Sequence, residues 1–215
     1  MKATYVAWSK IVLFLLALYF GEVSNVACLI QERYIPRGPN SLHGIGEVYF
    51  VPIGTFPQDV LNRLVNYYQD KYGLSISVLS PPLPALVARA FNEEREQYVA
   101  EDMVAILGQA RVASDLSSTL IALTDQDLYI RDSTWRYAFG YRSNQLAVIS
   151  SARIGTRFMA VWPIDSEWKE KRLRKMVTKY IAVLHYRLPL SSNCRSPLFD
   201  KIGGPQELDF MEEDL

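Results

Sequence analysis

Residues 118–153 read STLIALTDQDLYIRDSTWRYAFGYRSNQLAVISSAR. The run from Thr119 to Leu123 has no charged residue and is flanked by polar ones, the pattern of a strand buried on both faces. Residues 137–141 and 146–150 have strand composition, and Arg142-Ser143-Asn144 between them is hairpin material. Upstream, residues 48–53 (VYFVPI) read as another buried strand. Residues 57–72 read as a helix with Pro57 at its start, and residues 74–79 as an alternating strand. Strand, helix and strand in that order favour a parallel crossover.

Pro81, Pro82 and Pro84 interrupt the chain before a helix expected over residues 97–111, with Val99, Met103, Ile106 and Leu107 on one side. The last long element begins where Asp165 or Ser166 can cap a helix that runs through Leu188. Its apolar stripe is Leu173, Met176, Val177, Tyr180, Ile181, Leu184 and Leu188. Residues 47–215 are enough for one compact domain with its own core. The element pattern is α/β. The acidic tail Glu207, Asp209, Glu212, Glu213 and Asp214 is either a helix start or a frayed end.

In order and spacing, EVYFVPIGTF (47–56), Arg95-Glu96-Gln97-Tyr98 and the paired TDQDLY, WRYAFGY and QLAVIS resemble the archaemetzincins, metzincin-like zinc metallopeptidases. The resemblance implies a single zincin/metzincin-like domain: a twisted mixed β-sheet with flanking helices. It also implies that the last helix carries HExxHxxGxxxCxxxxCxM. Laid on this chain without a gap, that pattern puts the first His at Ile181, the Glu at Ala182, the second His at His185 and the Gly at Leu188. The third ligand falls on Ser191, the two Cys on Ser192 and Pro197, and the Met on Phe199. Only His185 is retained.

A catalytic zinc needs three protein ligands and an open position for water, with two ligands one helical turn apart. Ile181 and Ser191 do not supply them, and Ala182 cannot take a proton from metal-bound water. The chain has two histidines, His43 and His185, so it cannot form a three-His site. Asp200, Glu207 and Asp209 are the carboxylates left for a rebuilt site. The expectation is therefore no catalytic residue, no cofactor and no metal, with zinc as the alternative if a site has been rebuilt. His185 reads as a helix histidine bonded to backbone, and His43 as an exposed linker residue.

Lys2 and Lys10 precede a ten-residue apolar run, IVLFLLALYF, with small and polar residues after it. This reads as an export signal over residues 1–27, too short for a membrane span of about twenty residues. Val26-Ala27-Cys28 resembles the end of a bacterial lipoprotein signal, with Asn25 where Leu is usual. Lipidation at Cys28 would leave Cys194 a free thiol; without it, a Cys28–Cys194 bridge can form. Residues 28–46, rich in Pro and Gly, have linker composition.

Removing residues 1–27 leaves 21 basic and 22 acidic residues, a charge balance that argues against nucleic acid as a partner. The basic residues Lys169, Lys171, Arg172, Arg174, Lys175 and Lys179 read as a solvated helix face. No phosphate-binding Gly-rich loop is present, and Ser150, Ser151 and Ser191 show no His–acid partnership. Phe91, Tyr98, Tyr129, Trp135, Tyr137, Phe139 and Tyr141 read as core and cross-strand pairs ahead of a cleft lining.

The expected function is an exported, non-catalytic archaemetzincin-like domain of the periplasm or cell envelope, with a lipid anchor holding it to the membrane surface. It would bind an extended peptide or an envelope protein along Gln145, Leu146, Ala147, Val148, Ile149 and Ser150, which resemble the cleft-bordering strand of zincins. The alternative is a zinc metallopeptidase with an atypical metal site.

Overall fold

The computed structural model describes residues 28, 35, 41–109, 116–155 and 166–215. The expected signal (1–27), most of the linker, Arg111 and the candidate cap Asp165 lie outside them.

The first strand, β1 (Val48–Ile53), is followed by helix α1 (Gln58–Tyr72) and strand β2 (Ile76–Val78). β1 and β2 pair in parallel, the crossover expected from the sequence. α1 ends at Gly73, whose left-handed backbone (φ 63°) lets its N–H return to the Gln69 carbonyl. Next come α2 (Pro84–Ala88), β3 (Phe91–Asn92), β4 (Gln97–Val99), α3 (Ala100–Gln109), β5 (Thr119–Thr124) and β6 (Leu128–Tyr129). The chain closes with β7 (Gly140–Ser143), β8 (Leu146–Ser150), α4 (Ser166–Leu184) and α5 (Pro205–Phe210).

Five strands form the main sheet in the order β2-β1-β5-β8-β7, all parallel except β7, and β3-β4-β6 form a smaller one. Alternation along the strands divides the core. Phe50, Ile121, Leu123, Ala147 and Ile149 meet Leu61, Leu64 and Tyr68 of α1 and the apolar stripe of α4. Val51, Ile53, Leu120, Ala122 and Val148 meet Met103, Ile106 and Leu107 of α3 on the other face.

Three local expectations are corrected. Residues 97–99 are a strand, with the helix starting at Ala100. Glu96 takes a left-handed turn (φ 52°), and Gln97 is held by hydrogen bonds from its Nε2 to Asp127 Oδ2 (3.0 Å) and the Arg136 carbonyl (3.1 Å), so pairing overrides helical periodicity. Pro84 begins a short helix of its own, with proline in the first turn where no N–H partner is needed. α4 stops at Leu184, four residues before Leu188: Arg187 is left-handed (φ 55°) and the Leu188 N–H returns to the Ala182 carbonyl at 2.9 Å.

Candidate functional site

Of the four motif positions, Ile181, Ala182 and His185 are buried. Ile181 is 1% exposed and packs into the core between α4 and the main sheet. Ala182 is fully buried against Leu198 and Leu215, with Leu42 beside them. His185, 5% exposed, lies just past the end of α4, its ring edge-on to Tyr186 at 4.7 Å. Its Nδ1 is buried without a hydrogen-bond partner, and burial lowers its pKa from 6.5. Ser191 closes a loop instead: its N–H donates to the Leu198 carbonyl at 2.9 Å and its carbonyl accepts from the Asp200 N–H at 3.0 Å.

The end of the linker covers His185. The Ile45 N–H donates to the His185 carbonyl at 3.0 Å, and a Cβ on Gly44 would fall 1.7 Å from His185 Nε2. Only glycine fits there. Residues 41–46 run as a strap over this end of the domain, and Leu42 adds to the cluster around Ala182.

Cys28 and Cys194 form a disulfide, and the Cys28 carbonyl accepts from Arg195 Nε at 3.4 Å. One sulfur cannot hold both a thioether-linked lipid and a disulfide, so lipidation at Cys28 is incompatible with this structure. The bridge anchors the 191–199 loop, where the family pattern places its first two motif cysteines.

The expected peptide-binding strand is corrected as well. β8, with Leu146, Ala147, Val148, Ile149 and Ser150, pairs with β5 on one side and β7 on the other, and Gln145 sits buried at its start. Its backbone groups are already committed. Among the described residues, the outer edge of β7 is the one without a partner strand on this side of the sheet.

Below β7 lies a cleft of about 550 Å³. Trp135, Tyr137, Phe139 and Gly140 form its strand side, Met176, Lys179 and Tyr180 of α4 its floor, and Phe199, Asp200 and Glu207 part of its far wall. β7 can approach α4 this closely because Gly140 has no side chain: a Cβ there would lie 2.9 Å from the Tyr180 ring. Trp135, Tyr137 and Phe139 thus line a cleft, while Phe91 and Tyr98 make the expected cross-strand pair at 5.0 Å.

The solvated-face reading of α4 is corrected too. Arg172 and Lys175 are buried. Arg172 Nε and Nη2 each donate to Asp209 at 2.7 Å, and Lys175 Nζ donates to the Leu208 carbonyl at 2.7 Å, so both hold α5 against α4. Lys179, one turn further, faces the cleft. Burial pulls its pKa down to about 8, with Asp200 opposing and Arg142 adding to the shift. The signal in the sequence was the interleaving of these cations with the apolar stripe, matched by carboxylates at Asp209, Glu212 and Glu213.

The donor set does not fit a catalytic zinc: it offers one imidazole, beneath the strap, and no carboxylate at the general-base position. Of the three tail carboxylates, Asp209 is bound to Arg172, and Asp200 and Glu207 line the cleft. Among the described residues no group of three His, Cys, Asp or Glu side chains could share a metal ion.

No protein-family model matches the chain. It is similar to an archaemetzincin of Pyrococcus abyssi, 26% identical over 135 residues, which cover 61% of this chain and 71% of that protein. An archaemetzincin of Saccharolobus islandicus is 30% identical over 132 residues, 61% of this chain and 69% of that protein. Its fold is that of the crystal structure of archaemetzincin from Methanopyrus kandleri, with TM-score 0.61, 18% identity, and 84% and 92% of the two chains covered. A zinc-dependent peptidase from Methanocorpusculum labreanum superposes with TM-score 0.63 at 17% identity, covering 77% of this chain and 94% of that one. Shared sequence over more than two thirds of a curated relative, on a sheet and helices of the same arrangement, makes this chain a member of the archaemetzincin family.

Proposed function

We propose that this chain is an exported archaemetzincin-like domain that has given up peptide hydrolysis and keeps its cleft to hold an extended segment of an envelope protein or peptide. The observation that carries the reading is the burial of Ile181 and Ala182: the positions that would hold and use zinc are packed in the core, whereas the cleft beneath β7 stays open. An unpaired strand edge next to an aromatic-walled groove can bind an extended chain through backbone hydrogen bonds without a metal. The Cys28–Cys194 bridge supports export, because disulfides persist in oxidising compartments.

The test is elemental analysis of the purified protein together with peptide cleavage and peptide binding. We expect less than stoichiometric zinc, no cleavage, and saturable binding of extended peptides that is weakened when β7 is blocked by Arg142→Pro, which removes an outward-facing N–H from the edge strand. One tightly held zinc per chain, lost in His185→Ala and accompanied by hydrolysis, identifies a peptidase with a rebuilt site instead.

A further inference from the structure

Lys175 and Lys179 lie one turn apart on α4, and only one of them is satisfied. Lys175 Nζ donates to the Leu208 carbonyl at 2.7 Å and reaches the Asp209 carbonyl at 3.4 Å. Lys179, half-buried in the cleft floor, makes neither a hydrogen bond nor an ion pair with any described residue. Asp200 is near enough to act on it through charge but forms no ion pair with it, and Arg142 on β7 adds a second positive charge. Lys201 and Glu207 are the other charged groups of the lining, and Glu207 Oε2 is buried without a donor.

Such a site is incomplete as it stands. An ammonium partly stripped of water beside aromatic rings gains strongly from an anionic oxygen, and charge-assisted hydrogen bonds are roughly twice as strong as neutral ones. The acceptor at Glu207 calls for an N–H donor. A peptide offers both, and because alternate residues of an added strand point to one side, a chain laid along β7 would direct every second side chain toward α4.

We infer that the cleft selects peptides carrying a carboxylate, with Lys179 as the anchor that binds it. This rests on the peptide-binding reading above and narrows it. The carboxylate comes either from an acidic side chain or from the end of a chain. The lowered pKa of Lys179 adds a condition: the anchor is cationic at neutral pH and loses its charge as pH rises through about 8, before a ligand raises that value.

The experiment measures fluorescence anisotropy of four labelled peptides, with a central Glu or Gln and a free or amidated C-terminus, against the full mature chain and two variants. We expect at least about tenfold tighter binding for one carboxylate-bearing member over its neutral partner. The Glu/Gln pair assigns the source to a side chain, and the free/amidated pair to a chain end. The preference collapses in Lys179→Met and survives in Lys179→Arg. It declines above about pH 8 in the wild type but not in Lys179→Arg, whose guanidinium stays charged. Lys179→Met removes a desolvated charge, so its melting temperature should stay level or rise. Equal affinity across the four peptides, or a preference that persists in Lys179→Met, overturns the inference while leaving peptide binding intact. Failure of all four to bind overturns both.

Discussion

At Ile181 one side chain decides between two histories of the same helix face. Restoring the family residue by Ile181→His would put an imidazole where the protein has a fully packed aliphatic group. We expect a loss of about 1–3 kcal/mol in urea unfolding, not recovered by added zinc. A neutral result, or rescue by zinc, would mean that this face opens to solvent. At this scale the sequence is read most directly where a ligand position either has a donor atom or lacks one. At Cys28 two chemistries compete for one sulfur and the sequence leaves both open, and the contact of Gly44 with His185 spans 141 residues and leaves no trace in local spacing.

Among the elements, those with strong local periodicity were legible: β1, α1, β5 and most of α4 follow from apolar spacing alone. β3, β4 and α2 were missed because two to five residues are too few to show a period, and the pairing of the two strands is tertiary. Choosing the edge strand failed for a related reason. A hairpin in sequence does not say which of its arms faces outward, and the outer arm is β7. The packing of α5 on α4 depends on Arg172, which also donates to the Ile154 carbonyl at 2.7 Å. Asp209→Ala would leave that buried guanidinium without its counter-charge. We expect a cost of about 1–3 kcal/mol by thermal unfolding, less than for a fully buried pair because Asp209 is partly exposed. An unchanged melting temperature in Asp209→Ala would show that α5 is not held through this contact.

For the molecule as a whole, two groups of buried and half-buried side chains should give stability an alkaline optimum. Lys175 and Lys179 have pKa values pulled down from 10.5 to about 8, so between these limits the unfolded chain binds more protons and stability rises with pH. Tyr72 has its pKa raised from 10.0 to about 12 by burial, and Tyr67 is shifted the same way, so above 10 the folded chain binds more protons and stability falls. Melting temperature should therefore climb above pH 8, peak near the lysine and tyrosine crossover, and drop beyond it. A monotonic fall from neutral pH would show that the two lysines are hydrated. Reduction of the disulfide, or Cys28→Ser, should lower stability by about 2–5 kcal/mol, since the bridge closes a separation of 166 residues. The same bridge sets the mechanics of the chain. Tension applied between the two ends runs from Cys28 through the sulfur–sulfur bond to Cys194 and on into the last 21 residues, bypassing the β-sheet. In a single-molecule pulling experiment the oxidised protein should lengthen only through its terminal segments, and adding reductant should release a further roughly 550–600 Å of hidden contour.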